Sequence, residues 1–189
     1  MREYVNLANA LTSGSLVAGF LALFLIFQTG NLLAAAGLVT LAAVFDGLDG
    51  AMARRIGSDG EFGTNLDSLA DVVSFGAVPA FALYMSSLYA LTVIGLVGCL
   101  VFFLCGAWRL ARFSLLKNPF YFVGCPIPFA GVLVALLAIM KPHPLLALPV
   151  VVLLGVLMVS THPFPTLSGL RNREELAEEV EEYRQTRRA

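Results

Sequence analysis

Long apolar runs, separated by short polar turns, dominate the chain. Six stand out, at residues 7–27, 32–54, 65–85, 88–113, 128–140 and 145–160. A helix needs about 20 mostly apolar residues to cross the hydrocarbon layer, and the first four runs meet that length. The last two are shorter. Spanning would draw on flanking residues 122–127 and 161–164, or on a locally thinned bilayer. The breaks carry turn chemistry, as in Gln28-Thr29-Gly30-Asn31, Ser86-Ser87, Lys117-Asn118-Pro119 and Lys141-Pro142-His143-Pro144. The pattern predicts an all-α polytopic membrane bundle of six transmembrane helices over residues 1–165. A charged, cytoplasmic tail helix follows over 166–189, with Asn172 as its cap and Glu174 and Glu175 in its first turn.

Composition agrees with this solvent. Apolar residues make up 58% and charged residues 13% of the chain, against roughly 45–50% and 25% in soluble domains; mean hydropathy is +0.83. Residues 1–28 lack a signal-peptide cleavage pattern and read as the first membrane helix. With both termini on one side, that side receives Arg2, Arg54, Arg55, Arg109, Arg112, Lys117, Arg171, Arg173, Arg184, Arg187 and Arg188, and the other side only Lys141. By the positive-inside rule the termini and the loops after spans two and four face the cytoplasm. The net charge of −1 gives no ground for a nucleic-acid partner. Cys99, Cys105 and Cys125 form no metal-binding spacing and read as structural thiols.

The chemistry is concentrated in one stretch. Every aspartate lies between Phe45 and Val72. Asp46, Asp49, Gly50, Ala53 and Arg54 fall at i, i+3, i+4, i+7 and i+8, one face of a helix, and Gly63, Asp67 and Asp71 share a face of the next. The short connection between these helices, with Gly57 and Gly60, lets the two acidic faces meet. Asp59 and Glu61 fall between the faces and read as solvated. A carboxylate at membrane depth costs about 3 kcal/mol or more, so a converging set requires protons or a cation. All-oxygen ligands suit Mg²⁺ or Mn²⁺. Four aspartates can hold two divalent ions as a clamp on phosphate, and Gly50, Ala53 and Gly63 leave room for it.

These residues resemble the signature of the CDP-alcohol phosphotransferases, Asp-x2-Asp-Gly-x2-Ala-Arg-x8-Gly-x3-Asp-x3-Asp, which Asp46, Asp49, Gly50, Ala53, Arg54, Gly63, Asp67 and Asp71 complete at every spacing. The resemblance implies six transmembrane helices, two metal ions and a CDP-linked donor. It implies Asp46, Asp49 and Asp67 as metal ligands, Asp71 as both ligand and general base, and Gly50, Arg54 and Gly63 as holding the CDP diphosphate. Asn9 and Thr12 are similar to a Pro-Asn-x-x-Thr element near the nucleotide, with Ala8 in place of the proline. Val72–Ala80, Arg109–Phe113, Gly124–Pro128 and Leu157–Ser160 look like the phosphatidylserine synthase branch, with Thr161-His162 departing from the basic residue usual after the last run.

Arg109 and Arg112, at i and i+3 near the cytoplasmic end of span four, are either snorkelling anchors or captors of an anionic group; of the two, Arg112 is the preferred captor. Lys117 reads as a loop or headgroup contact, and His143 and His162 as interfacial polar residues on opposite sides. The expected reaction joins a CDP-diacylglycerol-type lipid, or an archaeal diether analogue, to the hydroxyl of L-serine by direct displacement, with release of CMP at the cytoplasmic face. Glycerol phosphate, inositol or an inositol phosphate are alternative acceptors. A cation transporter using the four aspartates is a distant rival, since the opposite halves of the spans are almost wholly apolar. The resemblance alone implies a homodimer.

Overall fold

The computed structural model describes residues 6–56, 60–115 and 124–160, and for 53–56 and 113–115 the backbone only. Among the described residues the secondary structure is entirely helical. Helix α1 spans Leu7–Thr29 and α2 Leu32–Ile56. Helix α3 runs without a break over Glu61–Ser86, but in three parts: Glu61–Asp71 is α-helical, Val72–Ala77 is a wider π turn, and Val78–Ser86 is α-helical again. A 3₁₀ turn at Leu88–Leu91 leads into α4, Thr92–Leu115. Helices α5, Ile127–Met140, and α6, Pro144–Val159, complete the described bundle.

The six apolar runs are therefore six helices, four of them long and apolar enough to cross a membrane. Helices α5 and α6 remain at 14 and 16 residues. The proposed extensions at 122–123 and 161–164, the tail helix of 166–189, Asp59, Lys117 and His162 lie outside the described residues.

Local chemistry sets the ends. Asn6 caps α1 by accepting from the Asn9 amide at 2.8 Å. Gly30 stops α1 in the left-handed conformation, φ 64°, which lets its amide bond back to Ile26 O at 3.0 Å. Glu61 opens α3 at its amide end, where a negative charge is favoured, and remains exposed. His143 caps α6, its Nδ1 accepting from the Leu145 amide at 3.4 Å.

Small residues bring the helices close. Ala18 and Ala22 of α1 and Ala35, Ala36 and Ala42 of α2 are buried in the shared core, and these two helices form the most extensive contact of the bundle. Such side chains permit near approach of backbones where lipid offers no hydrophobic drive to associate. Helix α3 packs against α1, α2, α4 and α5 and is the central element. A Cβ placed on Gly131 of α5 would lie 2.7 Å from Phe75 Cα, so α5 rests directly on the π turn. The outside is apolar as well, with Phe27 78% and Trp108 67% exposed. That inversion of the soluble pattern suits a lipid surround.

Candidate active site

Four helices deliver the site. The second half of α2 carries Asp46 and Asp49, the first half of α3 carries Gly63, Asp67 and Asp71, the first turns of α1 carry Asn9 and Thr12, and the far end of α4 carries Arg109. Helical spacing stacks each pair of aspartates on one face, and the antiparallel packing of neighbouring helices turns the faces together.

The result is an acidic cage. One carboxylate oxygen from each of Asp46, Asp49 and Asp67 lies within 4.8 Å of the other two. Asp71 stands outside that trio, but its carboxylate is within interaction range of Asp46 and Asp67. Asp49 and Asp71 are buried, while Asp46 and Asp67 are partly accessible. Metal–oxygen bonds of about 2.0–2.1 Å around an octahedral ion put neighbouring ligand oxygens roughly 3–4 Å apart. The trio is close to that spacing, its donors are all hard oxygens, and nothing but a proton or a cation relieves the repulsion among them. The residues fit a hard divalent ion.

Each aspartate is held differently. Asp49 Oδ2 accepts a hydrogen bond from Thr12 Oγ1, a contact between residues 37 apart in sequence. Asp71 is 5% exposed, and its Oδ1 has no hydrogen-bond partner among the described residues. Arg109, 7% exposed, faces Asp71 closely enough to act on it electrostatically, and its Nε also lacks a partner. Two buried polar atoms left open beside an acidic cage mark the place for a ligand, since such groups are nearly always satisfied.

Of the residues singled out from sequence, Asp46, Asp49, Asp67, Asp71, Thr12 and Arg109 come together. Gly63 sits against Asn9: a Cβ there would lie 3.0 Å from Asn9 Oδ1. Gly50 follows Asp49 on α2 and is half-buried. The side chain of Arg54 lies outside the described residues. Arg112 Nη1 donates to Val159 O at 3.2 Å, tying α4 to the end of α6. His143 belongs to the opposite end of the bundle.

Sequence reasoning missed the support beneath the cage. Ser74 Oγ, in the π turn, donates to Ser15 O of α1 at 3.0 Å. Together with Asn9 beside Gly63 and Thr12 on Asp49, this sets α1 against both acidic helices through two side chains and the backbone carbonyl of Ser15. Asn9 and Thr12, three apart near the start of the span, were the available signal; a backbone carbonyl leaves none in the sequence.

Residues 5–163 match the model of the CDP-alcohol phosphatidyltransferase family. The chain belongs to that family. Among curated members it is similar to the CDP-diacylglycerol–serine O-phosphatidyltransferase of Helicobacter pylori, 37% identical over 174 residues that cover 86% of this chain and 73% of the relative. The protein of the same name from Methanocaldococcus jannaschii is 36% identical, with 87% and 76% covered. The archaetidylserine synthase of Methanothermobacter thermautotrophicus is also 36% identical, with 89% and 73% covered. For a CDP-alcohol phosphatidyltransferase the cage, with Asp71 and Arg109 beside it, is the candidate catalytic centre.

Proposed function

We propose that this phosphatidyltransferase moves the lipid phosphoryl group of CDP-diacylglycerol, or of a diether analogue, onto the hydroxyl of L-serine and releases CMP. One observation carries the choice of acceptor: the buried Arg109 Nε and the buried Asp71 Oδ1, both without a hydrogen-bond partner among the described residues, belong to neighbouring groups at the edge of the acidic cage. A serine molecule presents a carboxylate for the first and a hydroxyl proton for the second. Inositol has no anionic group to offer Arg109. The names borne by the bacterial and archaeal relatives favour serine over glycerol phosphate and inositol phosphate.

Asp46, Asp49 and Asp67 would hold Mg²⁺ or Mn²⁺, with Asp71 contributing to a second ion. Bound there, divalent ions neutralise charge that builds on the diphosphate and on the departing CMP. The protein's own groups do the rest. By family resemblance Gly50, Gly63 and Arg54 would hold the donor's diphosphate. Arg109 fixes the acceptor's carboxylate, which aims the hydroxyl at the phosphorus nearer the lipid. Asp71 Oδ1 takes the hydroxyl proton as the new O–P bond forms and the O–P bond to CMP breaks. A carboxylate is a weak base, so it relies on close alignment of that hydroxyl. The centre lies at the cytoplasmic face, with both termini on that side, and the chain acts within six spans, as a homodimer by family resemblance.

An acceptor panel tests the reading. Purified protein with labelled CDP-diacylglycerol and Mn²⁺ should release CMP with L-serine, and much more slowly with glycerol phosphate, inositol or inositol phosphate. Chelation should stop release, and added Mn²⁺ or Mg²⁺ should restore it. Faster turnover with any of the other acceptors would overturn serine, and full activity after exhaustive chelation would overturn the metal.

A further inference from the structure

Thr12 sits in the first half of α1, 3% exposed, and its hydroxyl has two acceptors in reach. One is Ala8 O at 3.1 Å, the usual back-bond of a threonine to the preceding turn. The other is Asp49 Oδ2. A hydroxyl carries a single proton, and the charged carboxylate is the stronger acceptor. Ala8 O therefore lies beside the bond to Asp49 without competing with it on equal terms.

The geometry points to Thr12 as a positioning residue that locks Asp49 for one-oxygen coordination of the metal, rather than as a contact to the nucleotide. This rests on the reading of Asp46, Asp49 and Asp67 as the metal set. A hydroxyl proton held on Oδ2 stops the Asp49 carboxylate from rotating about its last bond and leaves Oδ1 for an ion. It also opposes chelation by both oxygens. Small octahedral ions such as Mg²⁺ and Mn²⁺ accept single-oxygen ligation, whereas Ca²⁺ is well served by bidentate carboxylates and looser geometry. Burial adds to the effect, since Thr12 is 3% and Asp49 6% exposed.

The test is direct metal binding to detergent-purified protein, read as free Mn²⁺ by electron paramagnetic resonance and as Ca²⁺ by competition. Thr12→Val keeps the shape and removes the hydroxyl; Thr12→Ser keeps the hydroxyl. Loss of such an outer partner typically weakens metal binding about 10–100-fold. Thr12→Val should show that loss for Mn²⁺ and a smaller one for Ca²⁺, so that discrimination between the ions narrows, and Thr12→Ser should restore both. Mn²⁺ affinity unchanged in Thr12→Val, with CDP binding weakened instead, would overturn the proposal in favour of nucleotide contact. Loss of Mn²⁺ in Thr12→Ser equal to that in Thr12→Val would overturn it too. Wild-type protein that binds no Mn²⁺ would sink the metal set itself, a failure distinct from these.

Discussion

The four aspartates of the centre have different surroundings, and the proposed mechanism gives them different tasks. Asp67 is one of three carboxylates that converge within 4.8 Å, while Asp71 lies beside them with an open, buried oxygen facing Arg109. Neutralising Asp67 removes a charge from the trio; on the proposed mechanism, neutralising Asp71 removes the proton acceptor. Asp67→Asn should therefore weaken Mn²⁺ binding at least about tenfold and lose turnover with it. Asp71→Asn should lose turnover by about 10²–10⁴, the usual range for a general base, with a smaller change in Mn²⁺ binding. Parallel titrations of metal binding and CMP release measure both; equal loss of Mn²⁺ in the two variants would make Asp71 chiefly a ligand. The acidic residues were legible in sequence because 3.6-residue periodicity alone decides which of them share a face. The bond from Thr12 to Asp49 was not, since it joins residues 37 apart and depends on how α1 lies against α2. From sequence, Arg112 is preferred over Arg109 as captor; the proposed mechanism reverses that order because Arg112 Nη1 is on Val159 O while Arg109 stands beside Asp71, a difference that depends on α6 and not on spacing.

Helix α3 shows where periodicity stops being sufficient. Its sequence reads as one apolar span, and its extent was legible to within a few residues. The π turn at Val72–Ala77 was not, because nothing in Val-Val-Ser-Phe-Gly-Ala asks for it locally. It is held from outside, by Ser74 on Ser15 O and by the backbone of α5 at Gly131. A π turn takes in one extra residue, which rotates the segment beyond it by about 100° relative to a continuous α-helix. Asp67 and Asp71 can thus face the cage while Val78 and Leu83 still face the core. The two supports should differ in weight. A side-chain hydrogen bond between membrane helices averages about 0.6 kcal/mol, whereas forcing a methyl group into a filled space costs about 1–3 kcal/mol. Gly131→Ala should therefore lower the thermal midpoint in detergent more than Ser74→Ala does, and should reduce turnover by displacing the turn that follows Asp71. A Gly131→Ala protein as stable as wild type would mean that α5 does not brace the π turn.

The bundle places its polar chemistry at one end. Asn9 and Thr12 open α1, Asp46 and Asp49 come late in α2, Asp67 and Asp71 early in α3, and Arg109 late in α4. Alternating helix directions bring all of these to the same face, while Lys141, between α5 and α6, belongs to the other. The overall number and order of helices was legible because each run is long and apolar; the assignment of sides rests on charge. Arginine and lysine resist translocation and accumulate on the cytoplasmic side, and eleven of the chain's twelve fall with the acidic end when both termini share it. Single cysteines test the orientation in a background where Cys99, Cys105 and Cys125 are replaced by alanine. Glu61→Cys and Lys141→Cys both put the thiol at an exposed position, one at each end of the bundle. A membrane-impermeant maleimide applied to intact cells should label Lys141→Cys at once and Glu61→Cys only after permeabilisation. The reverse order would turn the catalytic end outward, and the positive-inside count would then have failed for this protein.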